Sequence, residues 1–355
     1  MRDSNKNNNS NNKKTSKNKN TTYCLGIEST AHTFGCSVIQ FDHNKKVGEI
    51  LSEIRSSYKA PIGSGIHPRE ASRHHLDKAP DILRETLKKA SLKAKEIDLI
   101  SYSAGPGLGP CLRVGAVIAR AISSFYNISL IPVNHALGHI ELGIMLTNCM
   151  DPLVLLVSGG HTMILSFSNR RWRIFGETLD ITIGQLFDQF GRYIGLASPC
   201  GNTIEEYANQ SSKHYLLLPY IVKGNDVSFS GLLTATKKLI RNGNNKLDTC
   251  FSLQETAFAM LAEVIERALS FTEKKEVLVV GGASANSRLS NMLTIATQRL
   301  DAKLYTCPVN YSGDNGAQIA WTGICDNIST HKTIKVNDAF VRQSWRLDEV
   351  EVNWR

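Results

Sequence analysis

The sequence predicts an α/β protein built twice over, with two similar lobes facing a cleft. Three observations carry the prediction. From residue 23 onward, short apolar runs alternate with turns and helical patterns. The order of those elements repeats in the two halves, and a glycine-rich turn stands at the corresponding place in each. The 355 residues are 42% hydrophobic, enough to bury the cores of two lobes.

The elements follow in order. Residues 23–28 (YCLGIE) read as a buried strand, followed by a polar turn at 29–33, a second strand at 35–42 and a third at 48–54. Residues 97–103 form a fourth strand that runs into AGPGLG (104–109), then a helix near 114–125 and a last strand at 129–133. The second half repeats this with strands at 153–157, 163–167 and 172–177, the turn SGGHT (158–162) falling after the first. A strand at 277–280, the turn GGASAN (281–286), a helix near 289–300 and a strand at 303–307 complete the repeat. Two duplicated lobes with glycine turns at the strand ends facing the cleft describe the actin-like ATPase fold. Without a Cβ, such turns let backbone N–H groups close on phosphate oxygens, so nucleotide binding is expected.

We divide the chain into a basic tail (1–21), a first lobe (22–150), a second lobe with a helical insertion (151–330) and an extension packing on the lobes (331–355). Residues 1–20 hold six Lys/Arg against Asp3 and eight Asn, a composition that cannot repay its ordering entropy. The tail is either inert or a basic arm with salt-sensitive affinity for a polyanion such as RNA. No apolar run approaches the roughly 20 residues of a membrane span. The N-terminus lacks a signal-peptide pattern, and a cytoplasmic protein is expected. The eight cysteines stand singly with no C-x-x-C pair, and read as buried, reduced thiols.

His135 and His139 (HALGH) lie one helical turn apart and can hold one ion. The spacing alone is weak evidence. However, His135 follows the last strand of the first half, and Asp314 follows the last strand of the second. If the halves are pseudo-symmetric, all three converge on the cleft from opposite lobes. Two imidazoles and one carboxylate leave coordination positions open, which suits catalytic Fe(II) or zinc.

Nine segments then carry a resemblance to a known family: GIESTAHTFG (26–35), HPREASRHH (67–75), AGPGLG (104–109), VNHALGHIELG (133–143), LLVSGGHT (155–162), FGETLDITIG (175–184), SFSG (228–231), VVGGASANSRL (279–289) and SGDNGAQIAWTG (312–323). Together they resemble the tRNA N6-adenosine threonylcarbamoyltransferases, in the branch that forms the catalytic subunit of the KEOPS complex. That resemblance implies transfer of threonylcarbamoyl from its adenylate to the adenosine 3′ of the anticodon in tRNAs reading ANN codons. It implies one divalent metal, Fe(II) ahead of zinc, on His135, His139 and Asp314. It implies a phosphate-contacting loop at Leu156, Val157, Ser158, Gly159 and Gly160, with Asp188, Gly201, Glu205 and Asn286 around the nucleotide. The partners implied are tRNA and KEOPS subunits, among them a separate small kinase-like ATPase and a dimerising subunit. Arg69 and Arg73 are read either as contacts to the tRNA anticodon loop or as ordinary charges at a helix start.

Two positions depart from the pattern. Leu156 stands where archaeal members often have a metal-contacting tyrosine, and Gly201 is flanked by Cys200 and Asn202 rather than by a second glycine. No side chain stands out as a base for the amine. A fold-sharing phosphotransferase would need oxygen ligands for magnesium rather than a His-His-Asp group. A metallopeptidase would need a glutamate where Ala136 stands. A nucleotide-switched binding protein would not need three ligands with open positions.

Overall fold

The computed structural model describes residues 20–355, so nearly all of the predicted basic tail lies outside the described residues. In the first half, strands β1 (Thr21–Glu28), β2 (Thr33–Asp42) and β3 (Val47–Ser57) precede helix α1 (Pro68–Lys89). Strand β4 (Leu99–Gly105), helix α2 (Gly109–Tyr126), strand β5 (Ser129–Asn134) and helix α3 (His135–Thr147) follow. The second half opens with β6 (Leu153–Val157), β7 (Thr162–Ser168) and β8 (Arg171–Glu177). Helices α4 (Ile183–Tyr193) and α5 (Gly201–Gln210) lead to the two-residue strands β9 (Val222–Lys223) and β10 (Asp226–Val227). Helices α6 (Ser230–Arg241) and α7 (Lys246–Thr272), strand β11 (Glu276–Val280), helix α8 (Ser287–Gln298) and strand β12 (Lys303–Thr306) come next. A short helix α9 (Val309–Ser312) precedes α10 (Gly316–Thr330).

The duplication is explicit in the sheets. One runs β3-β2-β1-β4-β5 and the other β8-β7-β6-β11-β12, the same order when the corresponding strands are matched. In both, the first three strands form an antiparallel meander, and the last two lie parallel to the first. The strands β6 and β11 are apolar on both faces because helices cover both sides.

Helices α1 and α2 cover the outer face of the first sheet, and α4 to α8 build the large core on the outer face of the second. Between the sheets lie α3 and α10. Although α10 follows the second sheet in sequence, it packs across β1, β2 and β4 of the first. Close approach there rests on glycines: a Cβ on Gly316 would enter the backbone of Cys36 and Ser37, and one on Gly26 would strike Gly316 and Ala320. Helix α3 is buried from His135 through Gly143, with Gly143 against Val280 of β11 and Gly138 against Gln318 of α10. It therefore touches both halves. All eight cysteines are free thiols, seven of them buried. Among the described residues no helix is long and apolar enough to cross a membrane.

Candidate metal centre and nucleotide cleft

Strand β5 passes into α3 without a loop, because Asn134 ends the strand and caps the helix. Its Oδ1 accepts from the amides of Ala136 at 3.0 Å and Leu137 at 3.1 Å. This places His135 in the first helical position and His139 one turn below, with ring centroids 4.7 Å apart. Asp314 arrives from the α9–α10 turn. Its Oδ1 lies 3.5 Å from His135 Nε2 and 3.4 Å from His139 Nε2. One ligand atom from each of the three residues falls within 4.8 Å of the others. The predicted trio therefore meets in space, from the two positions that the duplication made equivalent.

His139 Nε2 decides whether the group fits a cation. It is buried and has no hydrogen-bond partner among the described residues, although Asp314 is close. A buried nitrogen left without a partner is costly unless something absent here coordinates it. His135 is prepared for the same purpose. Glu28, at the end of β1, accepts from Nδ1 at 2.9 Å, which fixes the proton there and leaves Nε2 with its lone pair facing Asp314. Glu28 is itself held by the amide of Thr30 at 2.6 Å, and Gln318 of α10 reaches the same Nδ1 at 3.0 Å.

The electrostatics show what a cation would compete with, since the same carboxylates also favour a second proton on His135, which a cation would have to displace from Nε2. Burial works against a charge on His135, but the carboxylates of Glu28 and Asp314 outweigh it and push its pKa up to about 9. Burial lowers His139 below the usual imidazole range. Asp314 is buried too, yet contact with His139 and the charge on His135 hold it well below the usual carboxylate range. Burial also drives His161 down to about 3, helped by the fields of His135 and His139, so His161 stays neutral.

The remaining predicted residues lie at the end of β6, within α4 and α5, and at the start of α8. Leu156 and Val157 put their side chains into the cores on opposite faces of β6. Ser158 closes the following turn by accepting from the amides of Gly160 at 3.2 Å and His161 at 3.0 Å. A Cβ on Gly159 or Gly160 would meet nothing, so this turn is open. Gly281, at φ +93°, packs on the backbone of Val157 and joins the second glycine turn to the first. The first half does the same, with Gly107 against Thr30. Asp188 accepts from the amide of Cys200 at 2.6 Å and so positions Gly201, the first residue of α5. Glu205 accepts from the amide of Ser287 at 2.8 Å, and Asn286 caps α8. Glu205, one turn into the helix that Gly201 opens, thus meets the start of α8 beside Asn286.

Arg69 and Arg73 lie exposed in the first turns of α1, apart from the His-His-Asp group, with Arg73 3.9 Å from Glu70. Sequence reasoning assigned no role to Glu28, Gln318 or His161. A carboxylate ending the otherwise apolar strand 23–28 was the one available signal for Glu28.

Comparison with known proteins gives the same outline. Among solved structures, the chain is similar to component A of (R)-2-hydroxyglutaryl-CoA dehydratase from Acidaminococcus fermentans, at 14% identity and TM-score 0.52, covering 85% of this chain and 97% of that one. It is also similar to HypF from T. kodakarensis, at 13% identity and TM-score 0.58, covering 85% of this chain and 47% of that one. These likenesses show the fold, the actin-like ATPase fold. A protein from Caldivirga maquilingensis described as a tRNA N6-adenosine threonylcarbamoyltransferase is 45% identical over 330 residues, covering 93% of this chain and 97% of its own. One from Staphylothermus marinus with the same description is 47% identical over 337 residues, covering 93% and 99%. The family model for these transferases matches residues 49–321. With the motifs in order and identity of this extent over nearly the full length, the chain belongs to the tRNA N6-adenosine threonylcarbamoyltransferase family, enzymes that act on tRNA.

Proposed function

We propose that this chain transfers threonylcarbamoyl from threonylcarbamoyl-adenylate to N6 of adenosine 37, just 3′ of the anticodon, in tRNAs reading ANN codons. The transfer is metal-assisted, and the chain works in the cytoplasm as the catalytic subunit of a KEOPS assembly. The observation that carries the reading is the convergence of His135, His139 and Asp314 beside an open glycine turn, with His139 Nε2 unpartnered.

In the reaction, N6 bonds to the carbonyl carbon of the mixed anhydride, the carbon–oxygen bond to phosphate breaks, AMP departs, and N6 loses a proton. Iron(II), ahead of zinc, is the ion expected on the two imidazoles and the carboxylate, and when bound it supplies a Lewis acid for the anhydride oxygens. Glu28 keeps His135 in the tautomer that presents Nε2. Within the turn the Ser158 amide donates to the His161 carbonyl and the Gly160 amide to Ser158 Oγ, so in this reading the Gly159 amide, with the glycine turn at 281–282, shares the negative charge of the adenylate phosphate. Asp188 and Glu205 offer carboxylate oxygens to ribose hydroxyls and base, with Gly201 and Asn286 beside them. Leu156 is turned into the core and carries no ligand atom, so a metal held here would have His135, His139 and Asp314 as its side-chain ligands. The assembly in this reading also includes a small kinase-like ATPase subunit and a dimerising subunit.

The test is a His135→Ala/His139→Ala double variant, incubated with tRNA, threonine, bicarbonate, ATP, the partner subunits and the adenylate-forming enzyme, and followed by nucleoside analysis. Modification should be lost while the thermal midpoint shows a folded protein. Modification at the native rate would rule the metal mechanism out.

A further inference from the structure

A basic surface lies at the C-terminal ends of α4 and α6. Tyr193, the last residue of α4, is 38% exposed. Two cations from the last turns of α6 sit against its ring: Lys237 Nζ is 5.6 Å from the centroid and Arg241 Cζ 5.8 Å. Arg241 Nε also donates to the Tyr193 hydroxyl at 3.2 Å. Arg192 precedes Tyr193, and Lys238 follows Lys237. Helix α6 carries no acidic residue, and among the described residues none of these four cations is in an ion pair.

Gathering like charges on one exposed ring costs energy that no carboxylate here offsets. Cation–π contact returns only about 0.5–1 kcal/mol at an exposed site. The helix dipole accounts for Lys238 and Arg241 in the last turn of α6. It does not account for Arg192, or for two cations meeting on the tyrosine of another helix.

The position of the surface relates it to the cleft. Helix α4 starts against the open glycine turn, where Gly184 packs on Gly159 and Thr182 Oγ1 donates to the Gly159 carbonyl at 2.9 Å. Its eleven residues carry the chain roughly 16 Å outward to Tyr193. Arg192 abuts Gly65, in the exposed loop between β3 and α1: a Cβ on Gly65 would lie 3.4 Å from Arg192 Nη1. The basic surface therefore reaches from the second half to a loop of the first, one helix length from the turn proposed to hold phosphate.

We propose that Arg192, Lys237, Lys238 and Arg241, organised on Tyr193, bind backbone phosphates of the substrate tRNA while its target adenosine occupies the cleft. The inference rests on the proposed reading of the cleft. The substrate is a polyanion, and an unpaired cluster of Arg and Lys one helix length from the glycine turn suits the flank of a loop whose tip is inside. Tyr193 is a positioning residue, because it gathers Lys237 and Arg241 rather than touching the reacting atoms.

The test is binding of a tRNA transcript to the full chain by fluorescence anisotropy at several salt concentrations, with ATP binding as the measure of an intact cleft. A Lys237→Ala/Lys238→Ala/Arg241→Ala variant should bind tRNA at least tenfold more weakly. The slope of log affinity against log salt should fall by about 2, at roughly 0.7–0.9 per phosphate contact. Tyr193→Phe should keep most of the affinity, whereas Tyr193→Ala should lose part of it. ATP binding and thermal midpoint should hold in each variant, which a merely structural role for the cluster would not allow. Unchanged tRNA affinity and slope, with ATP still bound, would overturn the inference. So would loss of an acidic partner protein with tRNA binding intact, which would make this face a protein interface. Neither result touches the metal reading, which stands or falls with the His135/His139 variant.

Discussion

At the scale of single residues, the centre depends on a carboxylate that holds no metal. Glu28 fixes the proton of His135 on Nδ1, so Glu28→Gln should let the ring adopt the other tautomer and weaken metal binding about 10- to 100-fold. Competition with a chelator would measure this, and native affinity in the variant would show that Glu28 does not set the tautomer of His135. Glu53 of β3 makes a prediction about pH. Burial raises its pKa from 4.5 to about 8, although the amides of Gly316 and Ala317 oppose the shift. Its folded value lies above its unfolded one, so the stability it contributes is complete below about pH 4.5 and is lost as pH rises through about 8. Thermal midpoints of the native protein should therefore fall more steeply between about pH 5 and 8 than those of Glu53→Gln. Equal slopes would show that Glu53 is ionised throughout. The meeting of His135, His139 and Asp314 was legible because its signals are local: an i, i+4 histidine pair and a glycine-flanked aspartate after matching strands. Glu28 was not, since it stands 107 residues from its partner and a strand-end carboxylate has many innocent uses.

At the scale of elements, the strands were readable because each is a short apolar run bounded by turn residues, and the glycine turns marked equivalent ends. Helix α3 was placed by its histidines rather than by amphipathic periodicity. Wedged between two sheets, it is buried all round and has no polar face to reveal it. Nor did the sequence disclose what holds the Asp314 turn. Arg55, at the far end of β3, donates from Nη1 to the Asp314 carbonyl at 3.2 Å and from Nη2 to the Asn310 carbonyl at 2.9 Å. A strand of the first sheet thus clamps the turn that brings Asp314 to the two histidines. Arg55→Ala should lower metal affinity about tenfold, the equivalent of one charged hydrogen bond, with little change in thermal midpoint. Arg55→Lys, keeping charge but not the fork, should recover part of the affinity. If Arg55→Ala binds metal normally, the turn is held by Glu53 and Asn315 without it.

At the scale of the whole molecule, the C-terminal segment joins what the duplication left as two bodies. It first lies along the first sheet, where Tyr102 donates to the Phe340 carbonyl at 3.0 Å and the Arg342 amide to the Ala104 carbonyl at 2.7 Å. It then crosses to the second, where the Val352 amide donates to the Arg170 carbonyl at 2.8 Å and the Val352 side chain is fully buried. Its last residues meet α3: Trp354 Nε1 donates to Glu141 at 3.0 Å, and Arg355 makes a two-pronged contact at 3.0 and 3.2 Å with the same carboxylate. Glu141 is 2% exposed and stands two residues after His139. A chain ending at residue 350 would leave that carboxylate buried without its cation, at a cost of about 3–5 kcal/mol. We expect a clearly lower thermal midpoint, together with weaker metal binding because α3 carries both imidazoles. Glu141→Gln in the shortened chain should restore part of the midpoint by removing the unpaired charge, while the lost burial of Val352 stays lost. If the shortened chain melts at the native midpoint, the lobes are held together by α3 and α10 alone, and the strap contributes nothing to the geometry of the centre.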